Sequence, residues 1–153
     1  MDPGARRYFS TKDSIPLPQC PKKGVITPEA LFNAAKTYTD EDTVIVTDVG
    51  QHQMWAAQFF PLAAPRRFIT SGGLGTMGYG LPAALGAKVG CPKCKVVLFT
   101  GDGSILMNCQ EFSTLHRYAV EVKVIVLQNG VLGMVKPVAA PLLRRKTGGI
   151  RHQ

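Results

Sequence analysis

Lys95-Val96-Val97-Leu98-Phe99-Thr100-Gly101-Asp102-Gly103-Ser104 is the stretch that decides the fold. An apolar run ends in an acid bracketed by glycines, and a second apolar run follows, Val122-Lys123-Val124-Ile125-Val126-Leu127, ending in Gln128-Asn129. Twenty-four residues separate Gly103 from Gln128, enough for one crossover helix between two parallel strands. The arrangement reads as strand, Gly-Asp-Gly-Ser turn, helix, strand, Asn. It sets a carboxylate and an amide at the ends of neighbouring strands.

Those residue types suit a divalent cation and a diphosphate. Mg²⁺ is small and hard and takes octahedral oxygen ligands, few from protein and the rest from phosphate and water. Asp102 offers a carboxylate, and Asn129 offers an amide oxygen without a second charge. Gly101 and Gly103 leave room for phosphate oxygens. Ser104 is expected to cap a helix beginning at Ile105, so that its hydroxyl and free N–H groups hold anionic oxygens. A tight turn capped by Asp and Ser would use the same residues. The second strand, ending in Asn129 at the matching distance, favours the ligand site.

Working outward, Thr27-Pro28-Glu29 predicts a helix with Thr27 as cap, running to about Tyr38. Thr43–Val49 reads as a buried strand and Gln53–Phe60 as a helix. Arg67–Thr70 reads as a short strand and Leu81–Val89 as a helix. Strand 95–100, helix 105–118 and strand 122–128 complete the alternation. The expectation is an α/β fold, a doubly wound parallel sheet. Ligands of such sheets bind beyond the carboxyl ends of the strands, where Val49–His52, Gly101–Ser104 and Asn129–Val131 all fall.

At these residues the chain resembles the thiamine diphosphate enzymes, whose signature is Gly-Asp-Gly, 24 to 27 residues, then Asn-Asn. Gln128 replaces the first Asn, and Asn129 keeps the second. Thr47-Asp48-Val49-Gly50-Gln51-His52-Gln53-Met54-Trp55, Thr70-Ser71-Gly72-Gly73-Leu74-Gly75-Thr76-Met77-Gly78-Tyr79-Gly80 and Leu132-Gly133-Met134-Val135 resemble the acetolactate (acetohydroxyacid) synthase large subunit. The resemblance covers about residues 25–135. It implies a thiamine diphosphate-binding fold, expected incomplete at its C-terminal end.

The resemblance implies cofactor contacts at Val49, Gly50, Gln51, His52, Gly75, Met77, Gly101, Asp102, Gly103, Ser104, Asn129, Val131, Gly133 and Met134. Asp102, Asn129 and the Val131 carbonyl would hold Mg²⁺. Met77 or Met134 would wedge between the two rings of the cofactor, and Gln51 and His52 would reach the diphosphate. The family's activating glutamate lies in another domain, supplied by the partner subunit, and no residue here maps to it. FAD belongs to a middle domain that this stretch does not match. The implied chemistry is decarboxylating condensation of two 2-oxo acids, pyruvate with pyruvate or 2-oxobutyrate, in branched-chain amino acid synthesis. These 153 residues alone are expected to be inactive, needing a homodimer or a complementing subunit.

Other readings use other features. The chain could be the diphosphate-binding subunit of a two-subunit thiamine-dependent 2-oxo acid decarboxylase, or a non-functional gene remnant. Gly73-Leu74-Gly75-Thr76-Met77-Gly78 fits G-x-G-x-x-G, but a nicotinamide-binding domain needs an acid about 20 residues on, and position 98 is Leu98.

The net charge of +8 invites a nucleic-acid partner, but its placement argues against one. Residues 25–135 carry eight basic and eight acidic side chains; the surplus lies in 1–24 and 136–153. No apolar run is long enough for a membrane helix and no signal-peptide core is present, so a cytoplasmic location is expected.

Cys91-Pro92-Lys93-Cys94 lacks the second pair that a structural zinc site commonly has. A reduced turn before the Lys95 strand is expected, with a redox role as the second reading. Residues 1–24 read as a linker or lead-in. Residues 136–153 read as a basic tail, expected to be the disordered product of a one-base frameshift near codon 136. Read forward by one base, the possible codons of residues 137–144 accommodate the family's Gln-Trp-Gln-x-Leu-Phe-Tyr.

Overall fold

A computed structural model describes residues 24–60 and 65–135. The expectations for 136–153, and all but Gly24 of those for 1–24, lie outside the described residues. The elements in chain order are α1 (Pro28–Lys36), β1 (Val44–Thr47), α2 (Gln51–Phe59), β2 (Phe68–Thr70), α3 (Gly80–Gly90), β3 (Val96–Gly101), α4 (Asp102–Ile105), a 3₁₀ turn (Leu106–Asn108), α5 (Glu111–Arg117) and β4 (Lys123–Leu127).

The four strands pair in parallel in the order β2-β1-β3-β4. The doubly wound expectation holds. The chain leaves β1 toward one edge to make β2, then crosses back to build β3 and β4 on the other side. The sheet's direction of growth therefore reverses between β1 and β3. The crevice at such a reversal is where open α/β sheets bind ligands.

Strand alternation divides the core between two faces. Val44, Val46, Val96 and Leu98 face Leu81 and Ala84 of α3, Ile105 of α4 and Leu115 of α5. Ile45, Val97 and Phe99 face Phe32 of α1, Ala56 of α2 and Phe60. Phe32 and Phe99 are fully buried, with ring centroids 4.7 Å apart. Full burial of side chains this large contributes about 1.5–3 kcal/mol each. β1 and β3 are buried along their whole length, as their Val/Ile content requires. β4 is less buried than its apolar run suggests. Among the described residues it is an edge, and its side chains are half-buried or exposed.

Capping explains the start of α1, where Thr27 Oγ1 accepts from the Ala30 N–H at 3.2 Å and Pro28 opens the first turn. The expected single helix over 105–118 is instead broken into α4, the 3₁₀ turn and α5. The expected cap at Ser104 is also corrected. The helix begins at Asp102, and the buried Ser104 hydroxyl donates 2.9 Å to the Val49 carbonyl. A hydroxyl buried between two strand ends needs an acceptor, and the β1 loop supplies it.

The CxxC reading is corrected as well. Cys91 and Cys94 are joined by a disulfide, with Cα atoms 5.4 Å apart, and Cys109 is free and exposed. The turn between α3 and β3 brings the two side chains within bonding reach.

Gly80 shows how tightly α3 meets the sheet. A Cβ there would lie 2.8 Å from Leu98 Cδ1 and 3.0 Å from the Asp48 main-chain nitrogen. Gly86, in the same helix, has nothing within 4 Å of such an atom. Gly80→Ala should therefore destabilise the fold by about 1–3 kcal/mol. Gly86→Ala should be neutral or stabilise it by up to about 1 kcal/mol. Urea unfolding of both variants checks this; equal midpoints would contradict the close packing.

Candidate functional site

The carboxyl ends of β1 and β3 meet over a buried acid. Asp48, fully buried, follows β1 directly. Its Oδ1 accepts from the Val49 N–H at 2.8 Å and the Gly78 N–H at 2.9 Å, and Oδ2 lies 3.4 Å from Thr100 Oγ1. One carboxylate thus ties the β1 loop, the glycine loop and the end of β3. Asn108 holds the glycine loop from the other side, its Nδ2 donating 2.7 Å to the Gly78 carbonyl. Gly78 has φ +84°, and a Cβ there would lie 2.8 Å from Met107 Cβ. Only glycine suits both the conformation and the approach.

A cleft of about 300 Å³ opens above this base. It is lined by all fourteen residues singled out from the sequence: Val49 to His52, Gly75, Met77, Gly101 to Ser104, Asn129, Val131, Gly133 and Met134. Trp55, Leu127, Leu132 and Val135 complete the walls. Register accounts for the convergence of the two candidate metal ligands. Gly101 pairs with Leu127, so Asp102 and Asn129 stand one and two residues past paired positions on adjacent strands.

Asn129 is already oriented. Its Oδ1 accepts from the Val131 N–H at 3.0 Å, and its Nδ2 donates 3.1 Å to Gln51 Oε1. Gln51 also reaches Gly133, where any Cβ would overlap its carboxamide. Met77 lies inside the cleft, its Cε 3.8 Å from where a Gly103 Cβ would sit, while Met134 is 42% exposed.

His52 forms part of the cleft wall. It is 5% exposed, with its ring against Gly50 and Gly101. Burial holds its pKa below the ordinary 6.5; the Asp48 and Asp102 carboxylates and a hydrogen bond to the Asp48 main chain oppose this without reversing it. Nε2 is buried without a partner among the described residues. An orphaned polar atom on the wall of a cleft is what a polar ligand would satisfy. A phosphate oxygen there requires Nε2 to carry the proton.

The donor set fits hard-cation chemistry: one carboxylate, one amide oxygen and one main-chain carbonyl. Among the described residues no cluster of three or more His, Cys, Asp or Glu competes with it. A larger hollow of about 450 Å³ lies at the amino ends of β3 and β4. Its lysines are engaged: Lys95 with Asp40, Lys123 with Glu121, and Lys88 with the Cys94 carbonyl. The G-x-G-x-x-G stretch follows β2, a three-residue edge strand, and not the central strand that a dinucleotide fold requires.

Sequence reasoning missed Asp48 and Asn108 as organisers of the site. An acid directly after the Val44-Ile45-Val46-Thr47 run was the available signal for Asp48. Nothing local marked Asn108.

Residues 48–150 match the family described as thiamine pyrophosphate enzyme, C-terminal TPP binding domain. The chain belongs to the thiamine pyrophosphate enzymes. It is 53% identical over 105 residues to the acetolactate synthase isozyme 1 large subunit of Escherichia coli K12, covering 69% of this chain and 19% of that subunit. It is 46% identical over 125 residues to the acetolactate synthase large subunit of Lactococcus lactis, covering 82% of this chain and 22% of that one. An acetolactate synthase of Arthrospira platensis is 60% identical over 95 residues, covering 62% of this chain and 16% of that protein. The chain thus spans about a fifth of the length of the curated relatives it matches. The matched region begins at Asp48, so it contains the whole cleft. No helix among the described residues is long and apolar enough to cross a membrane.

The lowered pKa of His52 has a measurable consequence. The unfolded chain takes up a proton near pH 6.5 and the folded chain only at lower pH. Stability should therefore fall as the pH drops below about 6.5, until the folded imidazole itself protonates. Thermal unfolding without divalent metal, at about pH 7.5 and pH 5.5, should show a smaller pH-induced loss for His52→Gln than for the native chain. An equal loss in both would contradict the buried neutral imidazole.

Proposed function

We propose that this chain is the part of an acetolactate synthase large subunit that binds Mg²⁺ and the diphosphate of thiamine diphosphate. One observation carries the reading. Asp102, which opens α4 directly after β3, and Asn129 and Val131, which follow the paired strand β4, share a cleft with Gly50 and the start of α2 at the point where the sheet reverses. The identity with acetolactate synthase subunits supports it.

In this reading Asp102, the Asn129 amide oxygen and the Val131 carbonyl would hold the metal, which takes its remaining ligands from phosphate and water. Gln51 fixes the Asn129 amide, so its part is to orient a metal ligand. His52, held neutral, binds and does not shuttle protons. Ser104 is a positioning residue, since its hydroxyl is committed to Val49. Leu132 and Met77 shield the floor around Gly103. The bound cofactor supplies the electron sink needed to release carbon dioxide from a 2-oxo acid. The substrates are pyruvate and a second 2-oxo acid, pyruvate or 2-oxobutyrate. The activating glutamate comes from a partner subunit or a complementing chain, and FAD is not held by these residues.

Calorimetric titration with thiamine diphosphate and Mg²⁺ tests the metal assignment. Asp102→Ala and Asn129→Ala should each weaken binding about 10- to 100-fold, and omission of Mg²⁺ should abolish it. Equal affinities in all three proteins would overturn the assignment. The 153 residues alone, given both ligands and pyruvate, should form no acetolactate. Steady formation would overturn the need for a partner.

A further inference from the structure

The Cys91–Cys94 disulfide lies at the end of the sheet opposite the cleft, between α3 and the start of β3. The proposed cofactor chemistry makes no use of it. We propose that Cys91 and Cys94 form a reversible dithiol–disulfide site that exchanges with a dithiol reductant, Cys91 being the sulfur attacked and Cys94 the thiolate released beside Arg67.

Three observations carry this. The two sulfurs differ in access, because Cys91 is half-buried and Cys94 is 4% exposed. An incoming thiolate therefore reaches Cys91. The buried sulfur has a cation waiting: Arg67 Nη1 donates to Cys94 Sγ at 3.2 Å. The guanidinium is fixed in place because Nη2 is paired with Asp42 at 2.8 Å. A cation beside a sulfur stabilises the thiolate, and a stabilised thiolate leaves faster.

The third observation is that the turn does not need the bridge. Cys94 N–H donates to the Cys91 carbonyl at 3.0 Å, and Cys91 N–H to Ala87 at 2.9 Å. Lys88 Nζ donates to the Cys94 carbonyl at 2.8 Å. The bridge closes only a four-residue loop, which constrains the unfolded chain least. A pair that contributes little to stability and is built with one open and one cation-stabilised sulfur is suited to exchange.

The step balances. One thiolate of the reductant attacks Cys91 Sγ, the Cys91–Cys94 bond breaks, and Cys94 leaves as a thiolate. The second thiolate of the reductant then attacks its own sulfur in the mixed disulfide and releases Cys91. Two electrons and two protons pass from the reductant, which ends as a disulfide; the reverse oxidises the protein.

The test uses the full chain carrying Cys20→Ser and Cys109→Ser, which leaves Cys91 and Cys94 as its two cysteines. The protein is equilibrated in dithiothreitol redox buffers, alkylated and weighed, with circular dichroism of both forms. The expected result is one two-electron transition at Cys91 and Cys94 between two folded forms. Arg67→Met should slow reduction about tenfold, and Arg67→Lys should restore most of the rate. Asp42→Asn separates loss of the ion pair from loss of the guanidinium and should slow it less than Arg67→Met. Reduction only on unfolding would overturn the proposal, as would thiols that never pair in oxidised buffer. Equal rates in Arg67→Met and the parent would overturn the role of Arg67.

Discussion

The buried carboxylate of Asp48 is the constraint on which the upper half of the structure depends. An ion taken out of water costs several kcal/mol unless donors surround it. Its donors come from its own loop, from the glycine loop thirty residues on, and from the end of β3. Satisfying one side chain therefore fixes three segments. Gly80 lets α3 start against Asp48 itself, and Asn108 holds the far side of Gly78. The Ser104 hydroxyl then ties the β3 turn to the Val49 carbonyl. The cleft is left with a rigid base and with walls that carry the candidate ligands.

That base explains the disposition of the site. Rigid groups lie below, where β1 and β3 are buried on both faces. The candidate ligands lie above, at the start of α4 and just past β4, where paired strands set their direction. Asn129 is aimed by Gln51 and Val131, and His52 is kept neutral by burial. Holding ligands before the cation arrives reduces the ordering cost of binding.

Much of this was legible in the sequence because it is local. Valine and isoleucine runs mark strands buried on both faces, and Thr27-Pro28 marks a helix start, so the alternation and the doubly wound sheet could be read directly. The Gly-Asp-Gly-Ser turn and Asn129 could be placed on one edge because strand ends of a parallel sheet share an edge. What stayed hidden is what depends on tertiary approach. The Asp48–Gly78 hydrogen bond joins residues thirty apart. Ser104 looked like a cap because its acceptor, the Val49 carbonyl, is fifty-five residues away. The break between α4 and α5 falls at the 3₁₀ turn ending in Asn108, which also bonds Gly78, and no periodicity signals either. The Cys91–Cys94 bond depends on the geometry of the α3–β3 turn.

The central claim is a location: the anionic part of the cofactor lies over the β1–β3 reversal. Amide chemical shifts of the ¹⁵N-labelled chain, followed while thiamine diphosphate and Mg²⁺ are added, test it most directly. The account predicts the largest shifts at Gly50, Gln51, Gly101, Gly103 and Asn129, with Lys95 and Lys123 at the far end of the sheet unmoved. Shifts concentrated around Lys95 and Lys123, with the glycine turns unchanged, would contradict it.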